Sequence, residues 1–287
     1  MSNQEHQNAL VAVVVPTKDS AATLEDCLVS IRRQTIPCTL VVVDNGSRDS
    51  TLSIARAFAD LVLESGPERS AQRNAGARST SESLIGFIDS DMVLDPRVVE
   101  GALDAFHRGA ATVVVPEVTI GNGFWARVSA YERSFYVNNE VIEAPRFFTR
   151  ACFEDVGGFD EAMTGAEDWD LGLRTLDAGP RLRTTAVISH NEGNVHYFEI
   201  CRKKGYYAKG VALFMRKHGT QALLPLAARS WLRSPRALAN PLGVGLVILK
   251  LGQGAAMAIA LTRLSFGHPL ALASRSNLKR KNRQDAP

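Results

Sequence analysis

Leu10-Val11-Ala12-Val13-Val14-Val15-Pro16-Thr17-Lys18-Asp19 decides how this chain is read, because an unbroken apolar run ends in a proline and a polar turn. A strand with one wet face alternates apolar and polar residues, whereas one without alternation is buried on both faces, as in a parallel sheet covered by helices. Leu40-Val41-Val42-Val43-Asp44-Asn45-Gly46-Ser47 repeats the pattern. Between the two lies an amphipathic stretch with Ser20 as N-cap and Leu24, Leu28 and Ile31 at helical spacing. Thr51 to Phe58 and Pro96 to Arg108 read as further helices, and Leu61 to Leu63, Leu84 to Ile88 and Thr112 to Val115 as strands. Apolar strands alternating with amphipathic helices predict an α/β fold built on a mostly parallel sheet with helices on both faces. Ligands of such sheets bind beyond the carboxyl ends of the strands. The clusters Thr17–Asp19, Asp44–Ser47 and Asp89–Asp91 all fall there, so three separate polar segments converge on one edge.

After Pro116 the alternation weakens. Phe124 to Glu140 reads as an aromatic-rich helix, Arg146 to Thr149 as extended chain and Val156-Gly157-Gly158-Phe159-Asp160 as a turn. Glu167 to Ala178 reads as a helix stopped by Gly179-Pro180, and Leu182 to Ile188 as a last strand leading to His190.

With 22% charged residues among 287, the composition is that of a globular protein, which excludes a mainly disordered chain. Cys27, Cys38, Cys152 and Cys201 are scattered without zinc-ligand spacing and read as reduced, buried thiols of a cytoplasmic protein. Met1 to Asn8 is polar and lacks the basic-then-apolar order of a signal peptide. The net charge of +3 conceals an asymmetry. Residues 1–190 carry 17 Lys and Arg against 27 Asp and Glu, whereas residues 191–287 carry 16 against 3. A basic C-terminal third points to an anionic surface or substrate group. No recognition helix, zinc finger or RNA-binding sheet signature is present, so nucleic acid is not an expected partner.

Asp89-Ser90-Asp91 places two carboxylates beside each other just after a buried strand. Such a pair suits a hard divalent cation that bridges diphosphate oxygens, although acidic pairs also cap helices and fill turns.

Taken together, Val13-Val14-Val15-Pro16-Thr17-Lys18-Asp19, Val41-Val42-Val43-Asp44-Asn45-Gly46-Ser47, Arg73-Asn74-Ala75-Gly76-Ala77-Arg78 and Phe87-Ile88-Asp89-Ser90-Asp91 strongly resemble the opening of family 2 glycosyltransferases. Val156-Gly157-Gly158-Phe159-Asp160-Glu161 and Glu167-Asp168-Trp169-Asp170-Leu171 are similar to that family's acceptor-side signature, and the resemblance covers roughly residues 9–194. It implies a GT-A fold, a nucleotide-sugar donor, inversion at the transferred sugar and a divalent metal, Mn2+ or Mg2+. Pro16, Thr17, Asp19, Asp44, Asn45, Arg73, Asp89 and Ser90 match donor-binding positions. Two departures from the pattern are Asp19, where Glu is more frequent, and Asn45, where many relatives carry a second Asp; the base preference stays open. Asp89, Asp91 and His190 match the metal positions, Asp168 the catalytic base with Glu167 as second choice, and Trp169 an acceptor platform. On this reading residues 1–220 form the transferase domain, with a nucleotide-binding half over about 9–116 and an acceptor half over about 117–220.

Residues 221–287 read as a basic, apolar helical region. Arg202-Lys203-Lys204-Gly205-Tyr206-Tyr207-Ala208-Lys209, with Arg216-Lys217-His218 on the same expected helix, reads as a phosphate contact or a solvated face. Leu242 to Leu261 is long enough to span a bilayer. The central Lys250 costs roughly 2.5–3.5 kcal/mol on insertion scales, so an interfacial or re-entrant hairpin fits better than a clean span. Arg229, Arg233, Arg236, Arg275, Lys279, Arg280, Lys281 and Arg283 suit an anionic leaflet. The expected acceptor is therefore a lipid-linked or saccharide molecule met at the cytoplasmic face of a membrane. Alternatives are a sugar nucleotidyltransferase, whose Gly-rich phosphate loop is missing after the first strand, and a non-catalytic sugar- or nucleotide-binding partner of another transferase.

Overall fold

The structure, a computed structural model, describes residues 10–139, 142–223 and 239–266. β1 (Val11–Thr17) lies between β2 (Thr39–Asp44) and β4 (Leu84–Phe87), parallel to both, and β3 (Leu61–Glu64) continues the sheet beyond β2. On the other side β8 (Phe147–Thr149) runs antiparallel between β4 and β6 (Thr112–Val114), and β9 (Arg181–Arg183) closes the edge, giving the order β3-β2-β1-β4-β8-β6-β9. A three-stranded sheet, β5 (Met92–Leu94), β10 (Ile188–Asn194) and β7 (Glu117–Asn122), is ordered β5-β10-β7.

The helices are α1 (Leu24–Arg32), α2 (Thr51–Phe58), α3 (Arg69–Arg78), α4 (Val98–His107), α5 (Gly123–Ser134), α6 (Arg150–Asp155), α7 (Glu167–Arg174), α8 (Tyr197–Tyr206), α9 (Ala208–His218) and α10 (Pro241–Phe266). Successive strand side chains point to opposite faces, and here both faces are covered. Val11, Val13, Val15, Leu40 and Val42 pack under Leu24, Leu28 and Ile31 of α1 and Val98 and Ala102 of α4. Val14, Val41, Val43 and Phe87 pack on the opposite side with Phe148, Phe153, Phe159 and Leu171. Each fully buried Val, Leu or Phe contributes about 1.5–3 kcal/mol, which is why the all-apolar strands dictate a central sheet.

The sequence reading is corrected at several boundaries. α1 begins at Leu24, and Ser20 anchors the turn ahead of it through its carbonyl, which accepts from the Thr23 and Leu24 amides. The aromatic helix ends at Ser134. The expected last strand is two strands, β9 and β10, and His190 sits within β10 opposite Met92 and Thr119. The basic stretch after residue 196 bends between α8 and α9 at Tyr207. Helix α3 goes unrecognised by hydrophobic periodicity because its buried face is polar: Ser70, Gln72, Arg73 and Asn74 are all buried. Met1 to Asn8, Arg229, Arg233, Arg236, Arg275, Lys279, Arg280, Lys281 and Arg283 lie outside the described residues.

The C-terminal helix α10 packs against α5 and α8 around Val128, Cys201, Leu246 and Leu249, with Trp125, Tyr131 and Tyr197 at the margin. Its glycines are contact points. A Cβ on Gly245 would lie 2.7 Å from the Phe124 ring, and one on Gly252 only 2.0 Å from Tyr197 Oη.

Candidate active site

The parallel strands deliver the first polar clusters. Thr17 and Asp44 face each other across β1 and β2, and Thr17 Oγ1 donates to Asp44 Oδ1 at 3.0 Å. The Asp44 carboxylate is fully buried and also accepts from the Ser47 amide at 2.7 Å, so it closes the loop after β2. Asp19, at a φ of 46°, accepts from the Arg48 amide, and its own amide donates to Ser47 Oγ, both at 2.8 Å. Asn45 donates to the Pro67 carbonyl at 2.6 Å, Lys18 Nζ reaches the Asn45 carbonyl at 2.6 Å, and Ser90 Oγ lies 3.0 Å from Ser20 Oγ. Pro16, Thr17, Asp19, Asp44 and Asn45 thus lie together at the carboxyl ends of β1 and β2.

A second cluster gathers the acids. Consecutive residues of a helix point about 100° apart, and α3 uses that to reach three distant segments. Gln72 donates to the carbonyls of Thr17 and Val43, at 2.9 and 2.6 Å, tying α3 to the first cluster. Arg73, fully buried, donates to Asp89 Oδ1 at 2.5 Å and to Asp168 Oδ1 at 2.9 Å, and its guanidinium lies 5.0 Å over the Phe159 ring. Asn74 donates to the Phe159 carbonyl and to Glu161, both at 2.9 Å. Arg73 is therefore an internal counterion for Asp89 and Asp168.

Glu167 and Asp168 open α7 but are placed differently. Glu167 has 2% of its side chain exposed; its Oε2 accepts from the Gly165 amide, and its Oε1 lies 2.8 Å from Arg69 and 3.6 Å from Arg73 as ion pairs without an aligned hydrogen bond. Asp168 has 35% of its side chain exposed and faces the cleft. Trp169 lines the same cleft, with Nε1 donating to the Ile142 carbonyl at 3.1 Å and its ring 6.1 Å from that of Phe214.

The cleft encloses about 920 Å³, and Asp91, Asp168, Trp169 and His190 all line it. His190 Nε2 lies 3.1 Å from Asp91 Oδ2, and its Nδ1 lies 3.2 Å from an Arg133 guanidinium nitrogen. Burial works against the His190 imidazolium, but the Asp91 contact and charge outweigh it and raise the pKa. Burial likewise pushes the Asp89 carboxyl up, while Arg73, Arg146 and Arg69 hold it well below the usual carboxylate range.

No cluster of three or more His, Cys, Asp or Glu side chains is assembled for a metal among the described residues. Two positions nevertheless fit a divalent cation. Asp91 Oδ1 is buried with no hydrogen-bond partner, beside an imidazole nitrogen on the same carboxylate's other oxygen. An orphaned carboxylate oxygen next to a histidine is a donor set that such a cation accepts. Asp89 is tied instead to guanidinium groups, at 2.5 Å to Arg73 and 3.5 Å to Arg146.

Glu117 and Arg146 escaped the sequence reading. Glu117 on β7 pairs with Arg146 at 2.6 Å and also binds Arg133, which links the acids to His190. Arg69 was missed too. Nothing local marks these residues, because their partners are tens of residues away.

Residues 12–161 match the family model described as Glycosyl transferase family 2. Over 293 aligned residues the chain is 28% identical to a pre-mycofactocin glycosyltransferase of Mycobacterium tuberculosis, covering 92% of this chain and 61% of that one. The chain thus spans about three fifths of the length of the curated relatives it first matches. Its fold is similar to that of the mannosyltransferase PcManGT from Pyrobaculum calidifontis in complex with GDP-Man and Mn2+, with a TM-score of 0.55 and 23% identity over 92% of this chain and 80% of that one. It also resembles glucosyl-3-phosphoglycerate synthase from Mycobacterium tuberculosis, solved with Mn2+, UDP and phosphoglyceric acid, with a TM-score of 0.53 and 18% identity over 74% of this chain and 80% of that one. At these identities the structural likeness establishes the GT-A fold alone.

Proposed function

The chain belongs to glycosyl transferase family 2, and from that premise we propose that it transfers a sugar from a nucleotide-sugar donor to a hydroxyl of a lipid-linked or saccharide acceptor, with inversion, at a membrane surface. The observation that carries the reading is the cleft shared by Asp91, between β4 and β5, Asp168, in the first turn of α7, and His190, within β10. The donor lies along the loops of Pro16, Thr17, Asp19, Asp44 and Asn45, with Asp44 holding their shape from beneath. Asp91 and His190 would hold the divalent cation, which supplies positive charge to the departing diphosphate. Arg73, Arg146 and Asp89 form the charged floor beside it.

Asp168 removes the acceptor proton as the hydroxyl attacks the anomeric carbon from the face opposite the leaving group. It is the carboxylate of its dyad that reaches the cleft. Glu167 supports it from beneath: its ion pairs with Arg69 and Arg73 and its bond to the Gly165 amide fix the start of α7. Trp169 offers the acceptor an aromatic wall. A panel of nucleotide-sugars assayed for released nucleoside diphosphate, with a membrane lipid extract as acceptor source, tests the reading. Asp168→Asn is expected to lower turnover by about 10²–10⁴-fold, the usual worth of a general base. Turnover equal to wild type in that variant would remove Asp168 from the reaction.

A further inference from the structure

Helix α10 has two unlike faces. Val244, Ile248, Leu251, Ala255 and Ile259 recur every three or four residues and are exposed, Leu251 to 70%. At 1.5 Å per residue this stripe runs about 22 Å along the axis. Phe198 on α8, the helix packed beside it, is 81% exposed. The opposite face is sealed to the protein. Leu246 and Leu249 are buried, Gly252 lies under Tyr197, Gly205 of α8 lies against the Ala256 backbone, and Tyr197 Oη donates to the Ile248 carbonyl at 3.2 Å. Lys250 pairs with Glu132 of α5 at 2.6 Å, with only 18% and 15% of the two side chains exposed.

A bilayer-spanning helix meets lipid around its circumference or packs on other spanning helices. For α10 to cross, Glu132 would lose its lysine while buried, and Tyr197, Leu246 and Leu249 would be stripped from α5 and α8. The surroundings are also charged in one sense. Arg202, Lys203, Lys209 and Arg263 are exposed on α8, α9 and α10, and between residues 193 and 284 the sequence holds a single acid, Glu199.

We propose that α10 and α8 form a docking face for an anionic lipid surface, with α10 lying along the interface and its Val244–Ile259 stripe sunk into it. An apolar helix seated on the protein by one side and lying in that position combines shallow burial of its outward stripe with attraction between neighbouring cations and lipid headgroups. The same helices present Lys203, Lys204, Lys250 and Gln253 to the cleft, so a lipid-held acceptor meets Asp168 without leaving the membrane. That last step rests on the transferase reading; the docking face does not.

The experiment is co-sedimentation of the full chain with phosphatidylcholine vesicles, with and without phosphatidylglycerol. Pelleting is expected only with phosphatidylglycerol, reversed by high salt and by alkaline carbonate. The double substitution Ile248→Glu and Leu251→Glu is expected to lower the bound fraction about tenfold, as is the charge pair Lys209→Glu and Arg263→Glu. Both side chains of the first pair are exposed, so its melting temperature should stay near wild type. Nucleotide release from the donor panel in vesicle-free buffer, run on the same samples, is expected to be unchanged. Lost donor turnover with intact vesicle binding would fault the transferase reading and leave the docking face standing. Absence of binding to phosphatidylglycerol vesicles overturns the proposal, and so does carbonate-resistant retention, which marks a span. A concentration-dependent dimer abolished by Leu251→Glu, without vesicle binding, would assign the stripe to a protein partner and overturn it equally.

Discussion

Arg73 has no exposed side-chain surface, and carboxylates from two segments about eighty residues apart depend on it. Removing one partner of a buried ion pair leaves the others desolvated without compensation, at a cost of about 3–5 kcal/mol. Arg73→Ala is therefore expected to lower the unfolding free energy by that order, read by urea denaturation; a loss under 1 kcal/mol would show that the acids are held otherwise. Asp91 has a different role, since its Oδ1 satisfies no neighbour among the described residues. Asp91→Ala should leave the fold intact and weaken Mn2+ binding roughly tenfold or more, measured by electron paramagnetic resonance of the free ion. Equal affinity in variant and parent would show that the orphaned oxygen serves another purpose. At this scale the sequence showed residue types but not partners. Asp89, Asp91, Asp168 and His190 stood out by their place after apolar strands or at a helix start. Arg146 and Glu117, which complete their electrostatics, sit in segments with no such signature.

The same contrast holds for elements. β1 and β2 were legible because burial on both faces leaves only apolar residues, whereas α3 was not, because what it buries is a row of polar staples. β7 and β10 are likewise hidden, since their sheet is mostly half-exposed and its strands carry Glu117, His190 and Asn191. Helix α7, whose first turn carries the proposed base, is clamped to α9: Asp170 is buried and accepts from His218 at 2.8 Å, with Arg174 at 2.7 Å and Lys217 at 2.9 Å. Burial pushes the Asp170 carboxyl up, but its hydrogen bonds to Lys217, His218 and Arg174 outweigh that and depress its pKa. A depressed folded-state value gives stability that is present above the unfolded carboxyl's value near 4 and is lost as pH falls through the folded one. Melting curves of Asp170→Asn should thus lie below wild type at neutral pH, with the gap narrowing progressively as pH falls below about 4; a gap that stays constant into acid would show that the carboxylate charge is not what the clamp uses.

At the scale of the whole molecule, the expected separation of residues 221–287 from the preceding region meets a tight contact. Leu246 and Leu249 are buried against Val128 and Cys201, and fully burying two leucines contributes about 3–6 kcal/mol. Deleting residues 224–287 is expected to lower the melting temperature and expose Trp125 and Tyr197, seen as a rise in binding of an apolar dye; an unchanged melting temperature would show that the transferase region stands alone. The sequence announced an apolar helix there, but not its seat, because the glycines that read as weak hydrophobicity are the slots into which Phe124 and Tyr197 fit. Gln72, Arg73 and Asn74 have a longer reach. One third of a helical turn to either side would aim all three at the wrong neighbours together, so the chain at the ends of β1 and β2 and the proposed base Asp168 share a single angular reference. Anyone grafting new nucleotide loops onto this scaffold inherits that coupling: a graft that rotates the short rod behind them misaligns the far side of the cleft as well, however well the transplanted residues suit their new sugar.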